Sequence, residues 1–202
     1  RYTGGSNGAS DSVPHGLGRT PGLILHKNLD ATSNWSVKHS GFQSNYGAAL
    51  TTTQSQNAAT DYSGGGFADL TSDTTFGFLS GTSNANNVNE NGVDYICYIW
   101  ADVPGLQKFG KYIGNGSADG PFVELGFRPA VLIWKKSSAS GGNWNVEDSA
   151  RSPINPVILT SRLNTNDTDL GTSQGNIVEL HSNGFKVRNS SDKTNSRGVS
   201  YI

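Results

Sequence analysis

Four glutamates, Glu90, Glu124, Glu147 and Glu179, are the residues of this chain best suited to acid and base chemistry. Retaining glycosidases need two carboxylates about 5 to 5.5 Å apart, and a strand can present such a pair from alternate positions on one face. Glu147 and Asp148 are adjacent instead, so on a strand they would point to opposite faces. We therefore predict that the protein is not an enzyme and has no catalytic residues.

Other catalytic and metal-binding patterns are weak. The string G-x-S-x-G occurs at residues 4–8 and 171–175, but a nucleophile elbow needs a preceding strand and a following helix. The four histidines are dispersed, which argues against zinc. Alternating oxygen-bearing side chains end in Asp167 and Asp169, a weak calcium candidate that lacks the glycine and the closing glutamate of an EF-hand loop. We predict no metal site and no cofactor.

Aromatic residues in polar surroundings indicate a possible sugar-binding surface, because a sugar stacks its apolar face on a ring while its hydroxyls need hydrogen-bonding partners. The candidates are Tyr46, Tyr62 and Tyr112, in loops rich in Asn, Gln, Ser and Gly, and Trp134, which we expect to be exposed. The same loops could instead be solvent-facing connections or contacts with other subunits. Asp148 and Arg151 are interpreted as an ion pair rather than a ligand site.

Composition excludes several classes of partner. The formal net charge is −1 and only 15% of residues are charged, so the chain has no basic footprint for nucleic acid or anionic lipid. No apolar run approaches the length of a membrane helix. Cys97 is the only cysteine and cannot form an intrachain disulfide, so a core alone must hold the fold.

The elements that would position these residues form a repeating pattern. Leu17-Gly18-Arg19-Thr20-Pro21 and the apolar run after it recur as Leu125-Gly126-Phe127-Arg128-Pro129 and its following run. The string from Gly92 to Ile96 returns as Gly198 to Ile202 in the same way. Ordered matches with small drifts in spacing indicate a tandem duplicated unit whose loops vary.

The repeated unit is predicted to consist of short strands. Alternating or apolar runs of four to eight residues are separated by Gly, Asn, Ser and Pro clusters, which predicts strands and turns without helices. We predict an all-β, two-sheet antiparallel β-sandwich of jelly-roll or concanavalin-like type. Residues 1–202 would form a single sandwich of two related halves, about 1–110 and 111–202; two separate sandwiches are the alternative.

Large aromatic residues predict the core. Trp35 and Trp144 occupy matched positions in the two copies, as expected for packing residues. The runs containing Tyr95, Tyr98 and Trp100, and those from Ala130 to Lys135, carry apolar residues on both faces, which predicts central strands covered on both sides or lying at a subunit contact. Asn183-Gly184 predicts a two-residue type I′ hairpin, and residues 164–176 are predicted to form a loop.

The second half carries a further resemblance, through Lys111-Tyr112-Ile113-Gly114-Asn115-Gly116, Gly126-Phe127-Arg128-Pro129-Ala130, Trp144 with Asp148 and Arg151, and Asn183-Gly184-Phe185-Lys186. These strings resemble an uncharacterised domain family of virion proteins, commonly tail or fibre components, of tailed bacteriophages. The resemblance implies a jelly-roll or lectin-like sandwich on a virion and implies no catalytic residues. It spans essentially the whole chain but is looser in the first half.

The expected function is therefore a non-enzymatic structural protein on the surface of an extracellular virion, in a tail fibre or appendage that displays or makes host-surface contacts. Alternatives are a lectin-like carbohydrate-binding module, a capsid decoration and a filament-forming subunit. Expected partners are other copies of the chain, other virion proteins and host surface polysaccharide. Because the chain opens within one motif and stops within another, we also expect these residues to be part of a longer polypeptide or to be completed by another segment.

Overall fold

The computed structural model describes residues 1–5, 11–58, 72–78, 88–163 and 170–202. Within these ranges the fold is all-β, built from antiparallel sheets without a helix, so the predicted class is confirmed. No helix that could cross a membrane occurs in these ranges. The chain divides into two compact units, Arg1–Asp102 and Val103–Ile202.

Unit 1 contains eight strands among the described residues: β1 (Tyr2–Thr3), β2 (Ser12–Pro14), β3 (Leu23–Asn28), β4 (Ser36–His39), β5 (Tyr46–Ala49), β6 (Asn57–Ala58), β7 (Thr75–Gly77) and β8 (Asp94–Trp100). Six of them form an antiparallel sheet in the order β1-β8-β3-β4-β5-β6, and β2 pairs with β7. Strand β3 is central and is paired with β8 along its whole length, from Leu23 opposite Trp100 to Asn28 opposite Tyr95.

Alternation along β3 shows which face of this sheet is buried. Ile24, His26 and Asn28 are buried, whereas the residues between them are half-buried. Ile24 packs with Phe76, Phe78 and Val88, and Cys97 and Ile99 of β8 pack against the same cluster. The period of two therefore places one face of β3 and β8 on the core and turns the other face away from it.

Unit 2 also contains eight strands among the described residues: β9 (Tyr112–Ile113), β10 (Phe122–Glu124), β11 (Val131–Trp134), β12 (Asn145–Asp148), β13 (Val157–Arg162), β14 (Leu170–His181), β15 (Gly184–Val187) and β16 (Ser200–Tyr201). The larger sheet has the order β10-β15-β14-β13-β12-β11, and β16 pairs with β9. Among the described strands, β11 has β12 as its one neighbour in this sheet.

The core of unit 2 joins its two sheets. Trp134, Val157, Ile177, Val178, Leu180, Phe185, Val187 and Tyr201 form one buried cluster, with Tyr112, Val123, Leu125, Leu132 and Val199 packed against it. Burial of large apolar and aromatic side chains is the main favourable contribution to folding. Each unit therefore has a cluster of buried residues of its own.

The hairpin between β14 and β15 is present, but its turn is displaced by one residue from the prediction, and neither turn residue has the positive φ that the predicted type I′ turn requires. Leu180 pairs with Phe185 and His181 with Gly184, so Ser182 and Asn183 form the turn. Gly184 belongs to strand β15. A Cβ at this position would lie 2.1 Å from the carbonyl oxygen of Val123 in β10. The glycine is required by close packing of the backbone, not by a positive φ.

The two units contain matching strand pairings. In unit 1 three of the pairs are Tyr2 opposite Tyr95, Val13 opposite Phe76 and Leu23 opposite His39. In unit 2 the corresponding pairs, in the same order, are Tyr112 opposite Tyr201, Val123 opposite Phe185 and Val131 opposite Asp148. In each set the two partners are displaced between units by about 110 positions along the chain.

A buried asparagine and a tyrosine repeat in the same way. The side-chain oxygen of Asn89 accepts a hydrogen bond from the Gly5 N–H at 3.2 Å, and that of Asn195 accepts one from the Asn115 N–H at 2.8 Å. The hydroxyls of Tyr95 and Tyr201 accept hydrogen bonds from the N–H groups of Glu90 and Ser196. Such bonds satisfy backbone groups that the short terminal strands leave unpaired.

Strands and loops differ from the predictions in polar segments. Strand β13 was not predicted, and residues 170–176 lie in the long strand β14 although a loop was predicted there. Pairing with neighbouring strands overrides the weak local preference of such polar sequences. The arrangement of both units in a single sandwich stays a prediction.

Candidate functional site

Three aromatic side chains of unit 1 form a row, which we call the aromatic row: Trp35, Tyr98 and Trp100. The ring centroids of Trp35 and Tyr98 are 6.1 Å apart with 30° between the planes. Those of Tyr98 and Trp100 are 6.2 Å apart with 21° between the planes. Tyr98 is 46% exposed and both tryptophans are half-buried. The row therefore combines ordered, nearly parallel rings with access to solvent.

Strand geometry explains the position of the row. Tyr98 and Trp100 are two residues apart on β8, so they share one face, and Cys97 and Ile99 between them pack on the core. On β3, Leu25 pairs with Tyr98 and Leu23 with Trp100. The row thus lies on the face of the β3–β8 pair that points away from the core cluster of unit 1.

Trp35 enters the row from the chain just before β4. Its carbonyl oxygen accepts a hydrogen bond from the Leu50 N–H at 2.9 Å. The preceding residue, Asn34, accepts a hydrogen bond from the Thr51 hydroxyl at 2.8 Å. These two hydrogen bonds hold the segment that carries Trp35 against the chain that follows β5.

The row corrects the predicted core. Trp35, Tyr98 and Trp100 were predicted to be core residues, but Tyr98 is 46% exposed and the two tryptophans are only half-buried. Tyr95 and Trp144 are buried, with 0% and 3% exposed. Alternating apolar residues define two faces of a strand without defining which face is covered. Among the described residues, the Tyr95 face of β8 packs on the core of unit 1, and a subunit contact on the other face stays a prediction.

The predicted sugar-binding residues do not come together. Trp134 is only 7% exposed and its indole N–H donates to Glu147, so the expectation that it is exposed is wrong. Tyr112 is half-buried, stacks on Tyr201 and donates its hydroxyl to the Thr194 carbonyl at 2.7 Å. Tyr46 is half-buried at the start of β5. Tyr62 lies outside the described residues.

Glu147 is the glutamate with the most unusual surroundings. It is 1% exposed and accepts hydrogen bonds from the Trp134 indole and from the Thr160 hydroxyl, the latter at 3.0 Å. Burial raises the pKa of Glu147 to about 7, against the lowering effect of these two hydrogen bonds. A perturbed carboxyl can mark a catalytic acid, but this one is enclosed by core side chains and is not open to a ligand.

Unit 1 carries its own buried titratable groups. His26 is 0% exposed, and its Nδ1 lies 3.0 Å from the Tyr2 hydroxyl. Burial lowers the pKa of His26 to about 3 and that of His39 to about 4. Both imidazoles are therefore neutral in the folded protein near pH 7. His26 lies on the core face of β3, whereas His39 pairs with Leu23 and lies, buried, on the sheet face that carries the aromatic row.

The remaining predicted sites have structural explanations or lie outside the described part. Arg151 and Asp148 form an ion pair at 2.5 Å, and Arg151 also donates to the Val146 carbonyl at 2.9 Å. The weak calcium candidates, Asp167 and Asp169, fall outside the described residues, as does most of the first G-x-S-x-G string. The second string lies within β14. No cluster of three metal-ligating side chains occurs among the residues that the structure describes.

The comparisons with known proteins define a family without defining an activity. A model of a domain of unknown function, DUF7483, matches residues 1–202. The chain belongs to the DUF7483 family. Neither a curated protein nor a solved structure matches the chain. Because no relative of known function matches, a function for this member of DUF7483 has to be inferred from its structure, and the aromatic row is the feature that suggests one.

Proposed function

We propose that this member of DUF7483 is a non-enzymatic structural and adhesive module on the surface of a phage virion, in a tail fibre or appendage, and that it contacts neutral surface carbohydrate through the aromatic row. The row is the observation that carries this proposal. A pyranose ring presents an apolar face of C–H groups that packs on an aromatic ring, whereas its hydroxyls require donors and acceptors beside that ring.

The geometry of the row supports an extended ligand rather than a single enclosed sugar. Three rings follow one another over two centroid spacings of 6.1 and 6.2 Å on one sheet face, and the middle ring, that of Tyr98, is 46% exposed. Leu23 and Leu25, which pair with the strand that carries Tyr98 and Trp100, provide an apolar base. A polymer can contact successive rings on such a surface, so several weak contacts add to useful avidity.

The surroundings of the glutamates support a binding role without hydrolysis. Glu147 is enclosed by Trp134 and Thr160. Glu179 forms an ion pair with Arg188 at 2.7 Å, which lowers the pKa of its carboxyl. A glycosidase needs one carboxyl that is protonated and reachable by the glycosidic oxygen, and neither of these two side chains meets both requirements.

The finer fold is part of the same proposal: an ancestral β-unit was duplicated, and the two copies form a jelly-roll or lectin-like sandwich. Support comes from the matching pairs, such as Tyr2 with Tyr95 and Tyr112 with Tyr201, and from the glycines that contact the same carbonyl position. A Cβ at Gly4 would lie 2.0 Å from the Glu90 oxygen, and one at Gly114 would lie 2.2 Å from the Ser196 oxygen. The placement on a virion derives from the sequence resemblance.

The proposal is tested by measuring binding of the intact chain to a glycan array and to neutral polysaccharides in affinity gels. We expect binding that Tyr98→Ala weakens by about tenfold or more, because one stacked ring is lost. Phe122→Ala is a matched control, since Phe122 is a 44% exposed aromatic residue in unit 2; binding should be unchanged.

Three outcomes would contradict parts of the proposal. Absence of binding to every glycan and polysaccharide by the folded wild-type chain would exclude carbohydrate as the ligand of the row. Equal weakening by Tyr98→Ala and Phe122→Ala would place the contact elsewhere. A gene neighbourhood without virion genes would separately contradict the assignment to a particle.

A further inference from the structure

We propose that Lys27 is a positioning residue of the aromatic row: its ammonium group holds the loop before Trp35 and so fixes the Trp35 ring beside Tyr98. This inference rests on the proposed function and deepens it, because a fixed Trp35 makes the row selective for sugar chains long enough to contact both rings. Lys27 is in β3, two residues from Leu25, which pairs with Tyr98, so Lys27 lies on the sheet face that carries the row.

The Lys27 ammonium donates its hydrogen bonds within one loop. The acceptors are the carbonyl oxygens of Asn28 and Ala31, at 2.9 and 3.5 Å, and the Ser33 hydroxyl, at 3.2 Å. A lysine ammonium has three N–H donors, and hydrogen bonds from a charged donor are stronger than those between neutral groups. The half-buried Lys27 therefore joins the start of the loop, at Asn28, to its end, at Ser33.

The loop itself has a defined shape. Asn28 is buried, and its side-chain oxygen accepts hydrogen bonds from the N–H groups of Asp30 and Ala31 at 2.8 and 2.9 Å. An asparagine side chain that bonds to the backbone two residues further on forms a compact turn. This turn and the Lys27 ammonium act on the same few residues, immediately before Trp35 enters the row.

Unit 2 contains a similar arrangement at matching positions. In the sequence repeat, Lys135 and Trp144 correspond to Lys27 and Trp35. Lys135 donates to the carbonyl of Gly142, in the loop before Trp144, and its ammonium nitrogen lies 5.8 Å from the centroid of the Trp144 ring. Both units therefore contain a lysine that holds the loop before a tryptophan. Trp144 is buried, whereas Trp35 is half-buried, so in unit 1 the lysine positions a ring of the partly exposed row.

A fixed Trp35 favours the binding of long ligands. Preorganisation of a side chain removes the cost of ordering it when the ligand arrives. A single sugar should contact one ring, that of Tyr98, which is the most exposed of the row. A longer chain also reaches Trp35, whose ring centroid is 6.1 Å from that of Tyr98. Loss of the Lys27 ammonium should therefore weaken the binding of long chains and leave that of single sugars unchanged.

Binding of a series of oligosaccharides to the intact chain measures this selectivity. The series, from single sugars to hexasaccharides, is prepared from the neutral polysaccharide that the affinity gels identify. Lys27→Met retains an unbranched apolar side chain without the ammonium, so it should weaken hexasaccharide binding by about fivefold and single-sugar binding by less than about twofold. In a Trp35→Ala background, Lys27→Met should have no further effect, because a positioning residue acts only through the ring that it positions.

Lys186→Met is the matched control for the loss of a lysine ammonium. Lys186 lies in β15 of unit 2 and also donates to a loop carbonyl, that of Gly120, at 3.0 Å. Binding of both single sugars and hexasaccharides should be unchanged in this variant.

NMR of the free protein tests the positioning step without a ligand. The chain has four tryptophans, and Trp35→Phe identifies the indole N–H resonance of Trp35. Lys27→Met should shift or broaden this resonance, because the ring changes position relative to Tyr98, and should leave the resonances of the two unit 2 tryptophans unchanged. Ser33→Ala removes one acceptor of the ammonium, so it should cause a smaller change in the same direction, and it serves as the test if Lys27→Met does not fold.

Any of three results would overturn the inference. The first is an unchanged Trp35 resonance in both Lys27→Met and Ser33→Ala. The second is equal weakening of single-sugar and hexasaccharide binding. The third is weakening by Lys27→Met that persists in the Trp35→Ala background, which would make Lys27 a direct contact of the ligand. If the wild-type chain binds no glycan, the proposed function fails and the length selectivity with it, whereas the NMR comparison still decides whether Lys27 positions Trp35.

Discussion

Units 1 and 2 bury different polar groups at matching positions of their sheets. In β3 and β4 of unit 1, His26 and Lys38 are buried; in β11 and β12 of unit 2, the corresponding residues are Trp134 and Glu147. The backbone pairing is the same, so the buried side-chain chemistry is free to differ as long as each group has a partner. The Lys38 ammonium donates to the Tyr46 carbonyl at 2.9 Å, whereas Glu147 accepts from Trp134 and Thr160.

The contrast in polar groups predicts opposite responses to pH. A buried neutral histidine resists protonation, so it destabilises the folded state in acid. A buried protonated glutamate resists ionisation, so it destabilises the folded state as the pH rises. The same architecture therefore carries two opposing titrations, and the following predictions test how far the two units are alike and where they differ.

The largest expected effects come from the glycines that the units share. Gly4→Ala and Gly114→Ala would each place a Cβ about 2 Å from a backbone oxygen, at 2.0 Å from Glu90 and 2.2 Å from Ser196. Backbone must move in both cases, so we expect each to lower the free energy of unfolding by about 4 kcal/mol or to prevent folding. Urea denaturation measures this. Gly110→Ala is the matched control, because the Cβ position there is open and Gly110, like Gly4 and Gly114, does not have a positive φ. If only one of the two variants were harmful, the units would not share this close approach.

The next effect concerns Glu147 in unit 2. Its folded pKa of about 7 lies above the value of 4.5 for an unperturbed glutamate, so its contribution to stability is fully present below about pH 4.5 and is lost as the pH rises through 7. Between these values the loss is about 3 kcal/mol. Glu147→Gln should remove this loss, because glutamine does not ionise. The free energy of unfolding of the variant should therefore decrease less from pH 5 to 7 than that of the wild type. An unchanged pH profile in urea denaturation would show that Glu147 is not protonated in the folded protein.

His26 in unit 1 should act with the opposite sign. Its folded pKa of about 3 lies below the unperturbed value of 6.5, so its contribution is fully present above about pH 6.5 and is lost as the pH falls toward 3. By pH 4 we expect a loss of about 3 kcal/mol. His26→Phe should reduce this decrease in the free energy of unfolding at acid pH, because phenylalanine does not take up a proton. NMR titration of the wild-type imidazole is a direct check, and a pKa of His26 near 6.5 would contradict the prediction.

The smallest expected effect on stability is at the aromatic row. Tyr98→Ala should lower the free energy of unfolding by about 1 kcal/mol, because Tyr98 is 46% exposed and loses mainly ring contacts with Trp35 and Trp100. Trp134→Ala, at a buried position in unit 2, should cost about 3 to 5 kcal/mol. Thermal denaturation distinguishes the two. Similar losses would mean that Tyr98 is packed rather than exposed.

The repeated spacing in the sequence predicts which residues correspond between the two units. It does not predict which side chains are buried, because burial depends on which face of a strand other parts of the fold cover. The repeat predicts that Tyr2 and Tyr112 occupy corresponding positions, and each does pair with a tyrosine of its unit's last strand. Exposure of Tyr98 and burial of Trp134 could not be predicted, because alternation assigns residues to faces and tertiary contacts decide which face is covered.

Local sequence preferences also failed to predict the secondary structure of a polar segment and of a glycine. Residues 170–176 look like a loop, yet they extend β14 because β13 pairs with them. Gly184 looks like a turn residue, yet it is a strand residue that allows β10 to approach closely. In both cases the deciding neighbour is distant in sequence. The signal that could have found the aromatic row is the spacing of Tyr98 and Trp100, two residues apart on one strand face.

The distribution of tryptophans has a practical consequence. The chain has four tryptophans: Trp35 and Trp100 are half-buried in unit 1, whereas Trp134 and Trp144 are 7% and 3% exposed in unit 2. Indole emission shifts to longer wavelength in contact with water, so the unit 1 pair should emit further to the red and be quenched more readily by iodide. The protein therefore carries an intrinsic optical reporter in which a ligand on one surface alters one spectral component and leaves the other as an internal reference.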